Sequence, residues 1–137
     1  MFVDACAIVA IFMEEDSKPL YEAALQTATE PFTSPLSAWE AIIVLAHPTR
    51  LDISFAEAHL DVMEWLDRSG IALRDAGTPE AVLARAVAVA GQYGLGGRAL
   101  GNFDCFHYAH AKAAGVPVLT LDRLLRETDV QTLPGGR

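Results

Sequence analysis

The chain has 137 residues, 52% of them hydrophobic, and a formal net charge of -8. That is the size of one ordinary domain with ample apolar material for one core, so a single domain over residues 1–137 is expected. The acidity excludes a broad, nonspecific nucleic-acid binder, which needs clustered Lys and Arg, and the two unpaired cysteines, Cys6 and Cys105, exclude a disulfide framework or a cysteine-rich zinc site.

No basic leader with a small-residue cleavage site precedes Phe2, and no apolar run reaches bilayer length, so a soluble, cytoplasmic protein is expected. Met1 to Val3 reads as a short buried strand that delivers Asp4 to its end, followed by an apolar, helix-compatible stretch from Ala5 to Met13. Ser17 caps a helix with Pro19 in its first turn, running to about Thr29. Phe32-Thr33 reads as a brief strand, and Ser34-Pro35 opens a helix to about Ala46, before Pro48. Ser54 to Glu57 form a capping box for an amphipathic helix that stops near Gly70. Ile71 to Leu73 reads as a strand, and Thr78-Pro79-Glu80 opens a helix toward Tyr93. Gly91 to Gly101 holds five glycines and Arg98 and reads as a mobile loop. A helix follows from Phe103 or Asp104 to Ala114, then a strand from Val116 to Leu121 ending at Asp122, and an edge strand from Asp129 to Leu133. Strands separated by helices predict a three-layer α/β/α sandwich on a mainly parallel sheet, whose ligands bind at the carboxyl ends of the strands.

Four carboxylates stand in otherwise uncharged, mostly apolar stretches: Asp4, Glu40, Asp104 and Asp122. Desolvating an isolated acid is expensive, and no Lys or Arg lies within three residues of Asp4, Glu40 or Asp104. Singly, Asp4 and Asp104 read equally well as helix caps, and Asp122 as a turn residue beside Arg123. Glu40 is harder to explain: inside its helix it shares a face with Leu36, Trp39, Ile43, Val44 and His47. Two carboxylates about 4 Å apart repel by roughly 4 kcal/mol at an effective dielectric near 20, so a cluster of four calls for protonation or a hard cation such as Mg²⁺ or Mn²⁺. His107 and His110 are one helical turn apart but lack a third soft ligand, and read as core or surface histidines. Trp39, Trp65 and the phenylalanines read as core, and Glu14-Glu15-Asp16 as a solvated loop. Arg98 and Arg123 are the arginines best placed to touch a phosphate.

With FVDACAIVAIF at the start, TSPLSAWEAIIVL around Glu40, NFDCFHYAHAKAAGVPVLTLD around Asp104 and Asp122, and the closing ETDV, the chain resembles the PIN-domain ribonucleases, specifically the VapC-type toxins of type II toxin-antitoxin pairs. The resemblance implies a PIN-like fold and Mg²⁺- or Mn²⁺-dependent cleavage of RNA phosphodiester bonds. It implies Asp4 and Asp104 as direct metal ligands, Glu40 and Asp122 completing the site, and Asp129 as a supporting residue. It further implies a homodimer and a cognate antitoxin. Cys6 stands where the family commonly carries Ser or Thr serving the metal's water shell or the substrate, and a thiol is the poorer hydrogen-bond partner. The usual Asn-Phe-Gly-Asp is shortened so that Phe103 joins Asp104 directly, shifting the expected start of that helix. Two rival readings are a PIN-fold module that binds RNA or protein without cleaving, and an aspartyl phosphatase using Asp4, whose expected second Asp is replaced by Cys6.

Overall fold

In the computed structural model, residues 1–94 and 99–135 are described; Arg98 lies outside them. The elements in chain order are β1 (Phe2–Val3), α1 (Ala5–Phe12), α2 (Lys18–Gln26), β2 (Phe32–Thr33), α3 (Pro35–Ala46), α4 (Phe55–Arg68), β3 (Ala72–Leu73), α5 (Pro79–Tyr93), α6 (Asn102–Ala114), β4 (Val118–Leu119), α7 (Arg123–Arg126) and β5 (Thr132–Leu133). Three of the predicted start signals operate as read, whereas Ser17 at the start of α2 has a helical backbone and makes no side-chain capping bond, leaving Pro19 in the first turn as the signal there. The Ser34 side chain accepts from the Ser37 amide with Pro35 in the first turn, and Ser54 and Glu57 close a reciprocal capping box. Thr78 accepts from the Ala81 amide. Gly115 ends α6 at φ +66°, a left-handed position that glycine adopts without a Cβ penalty.

The five strands form one parallel sheet in the order β3-β2-β1-β4-β5, with Phe2 level with Val118 and Phe32, and Val3 level with Leu119. Successive residues of β1 face opposite layers. Val3 joins Ile8, Ile42, Leu45 and Val62 on the side covered by α1, α3 and α4, while Phe2 joins Phe32, Ala111, Val118 and Val130 on the other. There α5, α6 and α7 share a second cluster built on Val82, Val89, Ala109 and Leu125. This is the expected α/β/α sandwich. Its strand order reverses between β1 and β4, the switch point where the carboxyl ends of parallel strands open a crevice. The carbonyl of Val3, at the end of β1, accepts hydroxyls from Thr33 at 2.7 Å and Ser37 at 3.3 Å, which pins the strand end just before Asp4.

Several expectations change in detail. The strand over 116–121 narrows to Val118–Leu119 and the edge strand over 129–133 to Thr132–Leu133. The helix α7 is unannounced by any apolar period, being a single turn capped by Asp122. Helix α5 continues to Tyr93, so Gly91 is helical rather than the start of a loop. Trp39 is not core: α3 turns its small residues Ser37, Ala38 and Ala41 inward with Ile42 and Leu45, leaving Trp39 46% and Phe55 58% exposed, their rings 5.7 Å apart. Trp65 does pack on the core cluster, edge-on to Phe12. No helix among the described residues is long and apolar enough to cross a membrane.

Candidate metal centre

Asp4 follows the last residue of β1 and holds the N-cap position of α1, yet its side chain makes no capping bond. Capping therefore does not explain this acid. Its Oδ2 instead accepts from Thr120 Oγ1 at 2.7 Å and from the Cys6 thiol at 2.9 Å, and the whole residue is buried. Thr120 sits just past β4, the neighbour of β1 across the switch point, and also accepts from the Asp122 amide at 3.0 Å. The Cys6 sulfur lies 3.1 Å from Thr120 Oγ1 and 3.5 Å from the Tyr21 hydroxyl, which accepts from the Leu121 amide. Burial and the adjacent Asp4 charge push the Cys6 thiol far up, so it stays a neutral donor.

Ligand atoms of Asp4, Glu40, Asp104 and His107 all lie within 4.8 Å of one another. Glu40 reaches in from α3, Asp104 from the first turn of α6, and His107 from the next turn of the same helix, on the face that Asp104 occupies. His107 is fully buried, with Nε2 3.3 Å from Glu40 Oε2 and 3.7 Å from Asp4 Oδ1. The shortened motif does not withdraw Asp104. Helix α6 starts at Asn102 with Gly101 as its N-cap, and a Cβ at Gly101 would come within 3.3 Å of Asp104 Oδ2, so the glycine leaves room for the carboxylate.

Burial, then the charges of Asp4, Asp122 and Glu40, push Asp104 up to about 7 despite the relief offered by His107. Burial opposes a proton on His107, but the hydrogen bond to Glu40 and the surrounding carboxylates outweigh it and raise that group. The cluster is thus an excess of negative charge in a largely desolvated place. Donors bound to one Mg²⁺- or Mn²⁺-sized ion at about 2.1 Å stand at most about 4.2 Å apart, so the present spacing fits one such ion after shifts of a few tenths of an ångström. The hard carboxylate oxygens of Asp4, Glu40 and Asp104 suit Mg²⁺ or Mn²⁺ better than a soft ion.

The fourth expected acid stands apart. Asp122 Oδ1 accepts from the Leu125 amide and caps α7, the turn-type role open to it from sequence, although its charge still bears on Asp104. Arg123 is exposed and its Nε donates to Glu127 at 3.2 Å. Asp129 accepts from Tyr108 and Lys112 on the far part of α6, away from the cluster. Sequence reasoning missed His107 and Thr120. The partner that gives His107 its place, Glu40, is 67 positions away, so no local spacing announces it, and Thr120 carries no signal beyond its place at a strand end.

A PIN domain family model matches residues 1–131. The chain is 34% identical over 135 residues to "Ribonuclease VapC" of Mycolicibacterium smegmatis, covering 95% of this chain and 97% of that protein. It is 30% identical over 138 residues to "Ribonuclease VapC30" of Mycobacterium tuberculosis, covering 97% and 98%. Among solved structures it superposes on VapBC-1 from nontypeable Haemophilus influenzae with a TM-score of 0.67 at 17% identity, covering 96% of this chain and 95% of that one. On FitAcB from Neisseria gonorrhoeae the TM-score is 0.63, also at 17% identity, over 97% and 96%. A fold shared with those assemblies, acids gathered at the switch point of a 3-2-1-4-5 sheet, and a domain match over nearly the whole length agree: this chain belongs to the PIN domain family.

Proposed function

We propose that the protein is a Mg²⁺- or Mn²⁺-dependent endoribonuclease acting as the toxin of a toxin-antitoxin pair, with RNA as substrate. The observation that carries this reading is the convergence of Asp4, Glu40 and Asp104 from three separate elements. The curated relatives, named as VapC ribonucleases, agree with it.

In this reading Asp4 and Asp104 are the direct metal ligands, and Glu40 and Asp122 complete the site. A divalent ion there supplies Lewis acidity, which acidifies a water and offsets negative charge on the scissile phosphate. The protein's own part begins with Thr120 and Cys6, which fix Oδ2 of Asp4 and so orient its other oxygen toward the cluster. Glu40, with 22% of its side chain exposed against 3% for Asp4, stands on the open side and accepts the proton of the attacking water. Asp122 holds the start of α7 beside the site and adds negative charge. Cys6, proposed from sequence to meet substrate, acts here on Asp4. Arg98 and Arg123 are the groups proposed to meet RNA phosphates, which a chain of net charge -8 must do locally. A homodimer, with an antitoxin whose basic segment covers the acidic rim, completes the proposal. The phosphatase alternative has lost its second acid, since Cys6 carries a neutral thiol already engaged by Asp4.

Incubation of the purified protein with RNA and Mn²⁺ tests the activity. Cleavage is expected to fall at least about 100-fold in Asp4→Asn and Asp104→Asn and to stop with EDTA. Cleavage that survives both substitutions or the chelator rules the proposal out.

A further inference from the structure

Three acids suffice to attract a divalent ion, which leaves the fourth member of the group, His107, to be explained. Asp4 is already held by Thr120 and Cys6. Glu40 is a longer side chain with more rotors, and the hydrogen-bond partner it finds among the described residues is His107 Nε2, at 3.3 Å. Ionised carboxylates only accept, so the ring nitrogen that faces Glu40 and Asp4 must carry the proton. The other nitrogen, Nδ1, is buried and has no hydrogen-bond partner among the described residues. A histidine that ligates a metal through Nε2 carries its proton on Nδ1 and nearly always donates it to a carboxylate, a carbonyl or a water. Here that proton would be an unmet buried donor, whereas the Nε2–H tautomer leaves only a lone pair unmet. The ring is also fixed in place by Phe2 of β1, whose centroid lies 5.6 Å away.

We infer that His107 is a positioning residue and not a metal ligand: its Nε2–H holds the Glu40 carboxylate beside Asp4 and Asp104, joining α3 to α6 across the mouth of the site. The hydrogen is on Nε2 whether the ring is neutral or charged, so this role does not depend on the protonation state. The consequence is that the geometry of Glu40 is set by the protein before an ion arrives. This inference rests on the metal-nuclease reading above.

The test combines spectroscopy on the unaltered protein with two variants. In Mn²⁺-loaded wild type, pulsed electron paramagnetic resonance is expected to show no coupling to a directly bound imidazole nitrogen. His107→Ala should weaken Mn²⁺ binding by about 10- to 100-fold and lower kcat for RNA with little change in KM, the scale usual for loss of an outer hydrogen-bond partner at a metal site. His107→Gln, which keeps an N–H within reach of Glu40, should recover affinity to within a few fold of wild type. A directly bound nitrogen overturns the inference even if neither variant folds. So does a His107→Gln protein that melts like wild type but binds Mn²⁺ no better than His107→Ala. Mn²⁺ binding that requires Asp4 yet is equal in wild type and His107→Ala overturns this inference alone. Binding absent from wild type, or surviving Asp4→Asn, overturns the metal reading together with it.

Discussion

Two acids meet helix α6 in opposite circumstances. Asp104, in its first turn, benefits from the positive end of the helix dipole and is nevertheless driven up to about 7, because burial and three neighbouring carboxylates outweigh the dipole. Asp129 comes from the chain after α7 and lies against the later turns of the same helix, where Tyr108 donates to it at 2.6 Å and Lys112 at 3.1 Å; it is exposed and held below its ordinary range. One acid is supplied with its donor and its cation from within the chain. The other is packed among like charges, an arrangement that costs stability once its proton is lost and that an ion from outside relieves.

The largest separation between the two should come from Asp104→Asn. Between the ordinary value of 3.8 and about 7, folded Asp104 keeps a proton that the unfolded chain has released, so its contribution to stability falls as pH rises through that window and is gone above it. We expect the variant to lack this slope and to be more stable than metal-free wild type at pH 8 by on the order of 2 kcal/mol, after allowance for solvent screening. Excess Mn²⁺ should stabilise wild type by about 2.7 kcal/mol at one hundred times its dissociation constant and leave the variant almost unmoved. Denaturant titrations from pH 4 to 8, with and without Mn²⁺, measure both effects, and equal pH slopes for the two proteins would contradict them.

Thr120→Val probes the support beneath the cluster. It removes the hydroxyl that donates to Asp4 at 2.7 Å and accepts from the Asp122 amide at 3.0 Å, at an expected cost of about 1–3 kcal/mol with reduced cleavage. Stability unchanged by this nearly isosteric replacement would show that Asp4 is held by other means. The smallest effect belongs to Asp129→Asn, a loss of about 0.5 kcal/mol near neutral pH with RNA cleavage unaltered. Because the folded value of Asp129 is depressed, its contribution is present above the ordinary carboxylate value and disappears as pH falls through the folded one. Wild type and variant should therefore converge in acid, which thermal melts at pH 7 and pH 3 can check.

The same contrast marks what could be read from the residues alone. Signals confined to a few neighbours, such as Ser34-Pro35, the Ser54–Glu57 box and Gly115, identified their elements because local hydrogen bonds decide them. The isolation of Asp4, Glu40 and Asp104 from Lys and Arg was legible too, and these three do converge. Asp122 also ends an apolar stretch but has Arg123 beside it, and a backbone amide three residues on engages its carboxylate. Which face of α3 is buried was not legible, because the helix is apolar nearly all round and the choice fell to close packing of its small residues against α1. His107 was hidden for a related reason: what gives it meaning is a glutamate 67 positions away.

Asp4 is synthesised well before the hydroxyl that fixes its carboxylate, which belongs to Thr120, 116 positions later and just past the strand β4 that pairs Leu119 with Val3. Strands of two residues make too few local contacts to hold the rim before that pairing forms. A chain still emerging from the ribosome therefore has its acids but no assembled site. Competence arrives only once β4 has been made, and a chain truncated before β4 would be inert.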